Sequence, residues 1–429
     1  MTDSFNNNLI AFIKASPTPF HGVVQMALQL NQAGYIQLFE QDSWQLAPGK
    51  NYFVVRNGSA LVAFKTGSEK FGSAGFRLAG THTDSPCLKV KPNPEIVKNG
   101  YLQLGVEVYG GALLNPWFDR DLSLAGRVHF LSEQGEIESE LVDFVSPIAF
   151  IPSLAIHLNR EANEGRKINP QQELAPVLLQ TDECFSLDEL LLTQLKAGSP
   201  AAKPARVLSH ELFFYDTQSP ALVGINGQFL ASARLDNLLS CFVACRSLIE
   251  STDEHASVLV CNDHEEVGSA STSGAQGPFL KSVLERALNS LNKTDDAFAR
   301  SIHQSLMLSI DNAHGVHPNY TDRHDDKHRP LLNAGPVVKL NANQRYASNS
   351  HSVASFIALC DSVQVPYQSF VMRSDMACGS TIGPITATGL GVETVDIGVA
   401  TFGMHSIREL AGADDPTLLA KAVTKFYSR

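Results

Sequence analysis

Four apolar runs in this chain each end in side chains that bind metal ions, and that repetition constrains the fold more than any other feature. SVLVC at 257–261 leads into Asp263-His264-Glu265-Glu266-Val267-Gly268-Ser269, and RLAG at 77–80 leads into THTDSP with His82 and Asp84. LMLSI at 306–310 leads into DNAHG with Asp311 and His314, and VDIGVA at 395–400 leads towards FGMHS with His405. Short apolar runs rich in β-branched residues read as buried strands. In an open α/β sheet the carboxyl ends of the strands lie along one edge, where ligands bind, so residues far apart in sequence can converge on one point. Glu265 and Glu266 side by side would repel each other, and a cation between such groups removes that cost.

The composition narrows the class. With 44 % hydrophobic and 18 % charged residues over 429 positions, the chain reads as a globular protein with room for two or three domains. Lys plus Arg total 33 against 44 for Asp plus Glu, a net charge of −11 without any long basic run, which argues against a nucleic-acid partner. The start MTDSFNNNLI lacks the basic and apolar regions of a signal peptide, and no segment holds eighteen uninterrupted apolar residues. The expectation is a cytoplasmic protein without a membrane partner. Cysteines at 87, 184, 241, 245, 261, 360 and 378 are odd in number and show no CxxC spacing, so no disulfide framework is expected. Cys241 and Cys245 lie four apart amid FVACRSLI and read as small core residues.

Along the chain, FHGVVQMALQLNQAG (20–34) has helical spacing with a glycine stop at Gly34, followed by strand-like YFVVRN, SALVAFKTG and GFRLAG. The texture changes from about 93 to 230. YLQLGVEVYGG, LSLAGRVHFL and ESELVDF read as antiparallel strands, followed by a polar stretch from 159 to 205 and by HELFFYD. From 231 the α/β rhythm returns, from the helix LDNLLSCFVACRSLIE through SVLVC, FLKSVLERALNSL, LMLSI, SVASFIALCDSV, YQSFVM and VDIGVA to a last helix from Ser406. The architecture expected is one α/β catalytic domain, residues 1–92 and 231–429, interrupted by a β-rich insertion at 93–230, because candidate ligands lie on both sides of it.

Zinc takes imidazole and carboxylate ligands, and a catalytic site leaves a position open for water. His82 and His405 supply nitrogens; Asp236, Glu266 and Asp311 supply oxygens. In paired-metal sites two ions about 3.5–4 Å apart share ligands and stabilise both attacking and developing oxygens. Asp236, which opens the helix LDNLLSCF, is the candidate bridge, with His82 and Asp311 on one zinc ion and Glu266 and His405 on the other. Glu265 is left to act as the general base towards a metal-bound water. Asp84, two residues after His82, reads as the acceptor for that histidine's other ring nitrogen. Ordinary readings stand beside these: an HxD or EE pair recurs by chance, and an Asp before an apolar run is usually a helix N-cap. The recurrence after strands separates the two readings. His314, His317, His324 and His328 form the densest histidine region, but the charged TDRHDDKH reads as a solvated loop.

These residues resemble a known family, the aspartyl aminopeptidases, which are cytosolic paired-zinc metallopeptidases. The resemblance runs through SPTPFH (16–21), THTDSPCLKVKP (81–92), VEVYGG (106–111), NPWFDRDLSLAGRV (115–128), IPSLAIHLNR (151–160), LDN (235–237), DHEEVGS (263–269), SIDNAHGVHPNY (309–320), GPVVK (335–339), QRYASN (344–349), CGSTIGP (378–384) and MHSIRE (404–409), in the family's order. It implies a phosphorylase/hydrolase-like catalytic domain with an inserted dimerisation domain, and a homo-oligomer in the form of a tetrahedral dodecamer around a chamber. The same five residues fall on the family's zinc ligands, for two zinc ions per subunit, and Glu265 falls on its base. The resemblance adds two residues. His157 matches a histidine that one subunit's insertion lends to its neighbour's active site; read alone it is a satisfied core histidine, and a direct metal role is the other alternative. Lys339 matches a lysine that meets the acidic side chain of the substrate's first residue; read alone it is a strand-end lysine, with Arg373 and Arg345 as the other candidate cations. One departure is His264, where some eukaryotic members carry Asn.

The function implied is hydrolysis of N-terminal Asp or Glu from peptides. The same metal pair would serve a deacylase of N-acyl amino acids, which an absolute need for a free amine would exclude. The non-enzymatic alternative is a scaffold particle with a retired site, against which the intact Glu265 speaks.

Overall fold

The computed structural model describes residues 2–67, 71–72, 74–198, 200–291, 294 and 296–429. Two compact units emerge. The first comprises the chain up to Ser85, Pro220–Met404 and Glu409–Arg429; the second comprises Pro86–Ser219 and His405–Arg408.

Among the described residues of the first unit, nine strands make one sheet: β1 (Ile36–Leu38), β2 (Asn51–Arg56), β3 (Ala60–Lys65), β4 (Arg77–His82), β5 (Ser257–Asn262), β6 (Leu306–Ile310), β7 (Val337–Leu340), β8 (Gln368–Val371) and β9 (Glu393–Gly398). Their spatial order is β1-β2-β3-β5-β4-β6-β9-β7-β8. The central strands β5, β4, β6 and β9 run parallel. Parallel strands are covered on both faces and must be apolar on both. Val258 and Val260 of β5 join Leu78, Met307 and the helix Phe279–Ser290 in one core; Leu259 and Cys261 join Ala79, Leu308 and the helices Leu235–Glu250 and Asp415–Tyr427 in the other. Cys241 and Cys245 are buried in that second core. Each fully buried Val or Leu contributes roughly 1.5–3 kcal/mol, so the register of these strands is strongly specified. A consequence follows for the sheet edge. Asn262 pairs with His82 across β5 and β4, so the Asp263–Ser269 segment leaves the sheet beside that histidine, and Asp311 leaves β6 on the same edge.

The helix Pro19–Gln32 starts with Thr18 accepting from the His21 N–H and with Pro19 in its first turn; Gly34 follows it at φ +83°, in the left-handed region that favours glycine. A smaller sheet of the first unit holds, in order, Ala221–Val223, Phe229–Ser232, Glu409–Gly412, Ala400–Phe402 and Ala313–His314. This sheet corrects the reading of the C-terminus. Glu409–Gly412 pairs with Phe229–Ser232 as a strand, and the last helix is Asp415–Tyr427, with Pro416 in its first turn, rather than a helix from Ser406.

The second unit contains a six-stranded antiparallel sheet in the order Ile137–Asp143, Leu122–Ser132, Pro204–Asp216, Cys87–Lys98, Tyr101–Tyr109, Val177–Gln180. The polar stretch after 159 contributes the helix Leu187–Gly198, whose Leu187, Leu191 and Leu195 recur at four-residue spacing and fill this unit's core. Its boundaries at 86 and 219 differ from the 93 and 230 read from the sequence. Cys87–Lys98 pairs within the second unit, whereas Ala221–Val223 and Phe229–Ser232 belong to the first unit's smaller sheet. No described helix is long and apolar enough to cross a membrane.

Candidate metal centre

His82 is the last residue of β4 and is 1 % exposed. Its Nε2 lies 3.3 Å from Asp236 Oδ1 and 3.4 Å from Asp311 Oδ1. Ligand atoms of His82, Asp236 and Glu266 all lie within 4.8 Å of one another. Four segments separated by up to 229 residues thus meet at one sheet edge.

Asp236 is held from behind. Its N–H donates to Glu409 Oε2 at 3.0 Å, its carbonyl accepts from Ser85 Oγ at 2.6 Å, and Asn237 Nδ2 donates to the Ile310 carbonyl at 2.8 Å. The backbone at Asp236 is extended (φ −84°, ψ 100°), and Arg234 occupies the N-cap position. The ordinary reading of Asp236 as a helix cap therefore gives way to a side chain presented to His82. Glu409 was missed at the sequence level, although it lies within the MHSIRE motif.

The Glu265-Glu266 pair sits in a single 3₁₀ turn, Glu265–Val267, entered through His264 at φ +61° and left through Gly268 at φ +97°. Histidine is among the few non-glycine residues that enter the left-handed region, which suits His264 to this position. Its ring is fixed by Ser271 Oγ, 2.8 Å from Nδ1. The buried Asp84 carboxylate grips the turn: the Glu265 N–H donates to Oδ1 and the Glu266 N–H to Oδ2, each at 3.1 Å. His82 Nδ1 is 3.1 Å from the Asp84 carbonyl and 3.4 Å from its Oδ1. Asp84 therefore acts mainly on the Glu265-Glu266 turn, and its main-chain oxygen takes the part in orienting His82 that the sequence assigns to its carboxylate.

The electrostatics fit a cation. Burial works against a charged His82, yet Asp236, Asp311 and Asp84 hold its pKa well above the usual imidazole range. Burial, reinforced by Asp236, pushes Glu266 well up; burial pushes Glu265 up to about 7, with His82 opposing and Asp311, Asp236 and Asp84 adding. In the protein alone these carboxylates crowd around one imidazole. One imidazole among several carboxylates is the donor set that zinc takes, and a divalent ion relieves the same repulsion more fully than a proton does.

The remaining candidates fall elsewhere. Lys339 lies on β7, 1 % exposed, with Nζ 3.4 Å from Asp311 Oδ2, 3.2 Å from the Asn312 carbonyl and 5.2 Å from the centre of the Tyr346 ring. It is a buried lysine at the cluster and not the strand-end lysine of the ordinary reading. Arg373 is occupied by both carboxylate oxygens of Asp375, and Arg345 is exposed. His405 belongs to the second unit, where its Nδ1 lies 3.2 Å from the Gly111 carbonyl. A histidine whose Nδ1–H donates to a carbonyl presents Nε2 as the ligand atom. His157 is also in the second unit; it is exposed, flanked by Leu154, Ile156 and Leu158 at 54, 48 and 75 % exposure. That exposure overturns the satisfied core histidine. The TDRHDDKH segment, 321–328, is a largely exposed loop, as read from the sequence, while His314, outside it, packs against Phe370 with ring centres 5.6 Å apart and His324 lies 6.2 Å from the same ring.

A family model for the aminopeptidase I zinc metalloproteases, M18, matches residues 12–427. The chain belongs to this family. A probable M18 family aminopeptidase 2 of Ectopseudomonas mendocina is 58 % identical over all of this chain and 99 % of that protein. Among solved structures, a chain in the cryo-EM structure of the Ape4 and Nbr1 complex is 37 % identical with a TM-score of 0.96, covering 100 % of this chain and 86 % of that one. The Saccharomyces mApe1 dodecamer is 29 % identical with a TM-score of 0.85, covering 98 % and 95 %.

The grip of Asp84 makes an expectation. In Asp84→Asn an amide group faces one of the two backbone N–H donors, so one bond is lost and the turn carrying Glu266 loosens. Zinc affinity of this M18 member, measured by chelator competition, should fall about 10- to 100-fold, the usual cost of losing a residue that orients ligands. Unchanged zinc affinity would show that the grip does not orient Glu266.

Proposed function

We propose that this M18 zinc aminopeptidase removes N-terminal Asp or Glu from peptides. The observation that carries this reading is Lys339: an ammonium 1 % exposed beside the candidate ligand cluster. Metal ions and the base act on an amine and a carbonyl common to every peptide, so selection of an acidic first residue needs a separate cation. A buried lysine is costly unless anions answer it. With Asp311 engaged as a metal ligand, the Lys339 ammonium would be available to an incoming carboxylate.

In this reading two zinc ions would be held per subunit by Asp236, His82, Asp311, Glu266 and His405, with Asp236 serving both, His82 and Asp311 serving one and Glu266 and His405 the other. Bound zinc supplies Lewis acidity towards the scissile carbonyl and the attacking water. Glu265 takes a proton from the water on its carboxylate and returns it to the leaving amine. Asp84 keeps the turn carrying both glutamates in place through its two hydrogen bonds.

The test is a set of unblocked dipeptides. Lys339→Leu should depress kcat/KM for Asp- and Glu-first substrates about 100-fold, the scale of an unpaired buried charge, while sparing Leu- and Ala-first substrates. Unchanged acidic preference would overturn the assignment of Lys339. N-acetylated substrates should be inert; their preference would favour the deacylase.

The phosphorylase/hydrolase-like description, the dimerisation role of the insertion and a dodecameric assembly belong to the same proposal, supported by the likeness to the mApe1 dodecamer. The exposed apolar residues around His157 support its insertion into a neighbouring subunit. His157→Phe should cripple catalysis with zinc content and oligomer size intact, and mixing with Glu265→Gln subunits should restore part of the activity. No restoration after confirmed subunit exchange would place His157 in its own subunit's chemistry.

A further inference from the structure

Asp396 is fully buried in the middle of β9 and has no part in the chemistry derived so far. Its cross-strand neighbours are Ser309 on β6 and Lys339 on β7, so these three side chains form a row on one face of the sheet. Asp311 follows Ser309 by two residues.

The carboxylate joins three separate segments. Oδ1 accepts from Ser309 Oγ at 2.7 Å and from Thr381 Oγ1 at 2.6 Å; Oδ2 accepts from the Ala347 N–H at 2.6 Å. The Asp396 N–H donates to Ser348 Oγ at 2.9 Å, so the 346–348 segment is tied twice. That segment carries Tyr346, whose ring lies near the Lys339 ammonium. Thr381 caps the helix Ile382–Leu390, whose N-terminal end therefore faces the carboxylate. The approach is so close that a Cβ on Gly383 would come within 2.4 Å of Oδ2, which explains a glycine in the first turn of that helix.

We propose that Asp396 is a positioning residue for first-residue selectivity, holding the Lys339 ammonium and the Tyr346 segment in the pose that receives an acidic side chain. The charges give the reason. The Lys339 ammonium is 3.4 Å from Asp311 Oδ2, and the buried Asp396 is its direct cross-strand neighbour. With a cation held at Asp311, Asp396 would be the buried carboxylate remaining beside the lysine, balancing its charge from across the strands while leaving the ammonium N–H groups to an incoming carboxylate. The three hydrogen bonds fix Asp396 itself, so the lysine is referred to the sheet and not to a mobile loop. This inference rests on the reading of Lys339 in the proposed function.

The test compares the zinc-loaded wild type, Asp396→Asn, Ser309→Ala, Thr381→Val and Lys339→Leu on unblocked Asp-, Glu-, Leu- and Ala-first dipeptides. Zinc per chain and thermal midpoint are measured alongside. Asp396→Asn keeps the volume but removes the charge and turns an N–H₂ towards an existing donor. The acidic-over-neutral ratio of kcat/KM should fall about tenfold or more. The loss should appear in KM for acidic substrates, with wild-type zinc per chain. Ser309→Ala and Thr381→Val should each give a smaller fall in the same ratio. A folded Asp396→Asn with the wild-type ratio, whatever its thermal midpoint, would overturn the inference. Should that variant not fold, a wild-type ratio in both Ser309→Ala and Thr381→Val would overturn it equally. Absence of acidic preference in the wild type, or its survival in Lys339→Leu, would overturn the reading of Lys339 and this inference with it; failure confined to the Asp396 series would overturn this inference alone.

Discussion

Glu265→Gln is expected to keep its zinc and to lose roughly 10²-fold or more in kcat, the scale of a general base. The substitution is nearly isosteric and leaves the Glu265 N–H on Asp84 Oδ1 undisturbed, so the turn and the neighbouring Glu266 keep their places. What it removes is a carboxylate whose affinity for a proton burial has raised to about 7 in the protein alone. A base tuned upward accepts a proton more readily. The sign in pH follows. The base must be deprotonated to act, so wild-type kcat should fall as pH drops through the pKa of Glu265. Zinc beside it moves that limb below the value for the protein alone, because a positive charge favours the ionised form. The variant should lack this limb. Near-normal turnover in a zinc-replete Glu265→Gln enzyme, or an acid limb unchanged in position, would remove Glu265 from the role of base.

Asp236→Ala should lose zinc altogether, and with it essentially all turnover. A shared carboxylate serves both ions, so its removal leaves each one ligand short, whereas loss of Asp311 or Glu266 should strip one position preferentially. The fold should survive. The Asp236 N–H to Glu409 and the Asp236 carbonyl to Ser85 are main-chain bonds that alanine retains, and one carboxylate fewer reduces the repulsion that pushes Glu266 up. Metal analysis after gel filtration, with circular dichroism to verify folding, reads both outcomes. Retention of two zinc ions per chain would exclude Asp236 as the bridge.

The strand-end candidate ligands were legible in the sequence because a parallel sheet buried on both faces allows few registers, and its carboxyl edge is where the apolar run stops. His82, Glu266 and Asp311 meet for that reason, and Asp236 joins them from the start of the helix Leu235–Glu250. Other features depend on contacts that no local pattern encodes. The apolar letters around His157 look the same whether they fill a core or stand in solvent, and only the tertiary fold exposes Leu154, Ile156 and Leu158. Lys339 reads as a strand-end lysine until the pairing of β7 with β9 buries it beside Asp311 and Asp396. Asp84 was legible as a neighbour of His82, but its grip on the Glu265-Glu266 turn joins segments about 180 residues apart and leaves no spacing to read. The helix Leu187–Gly198 was obscured by the polar stretch around it, and the Ser406 start for the last helix ignored the strand pairing of Glu409–Gly412.

The most direct measurement is anomalous diffraction at the zinc edge from crystals of the zinc-loaded protein. Two peaks per chain are expected, both contacting Asp236, one against His82 and Asp311 and the other against Glu266 and His405, at the roughly 2.0–2.2 Å that zinc keeps from nitrogen and carboxylate ligands. A single peak, or peaks lying away from Asp236, would contradict the paired site built on these five side chains.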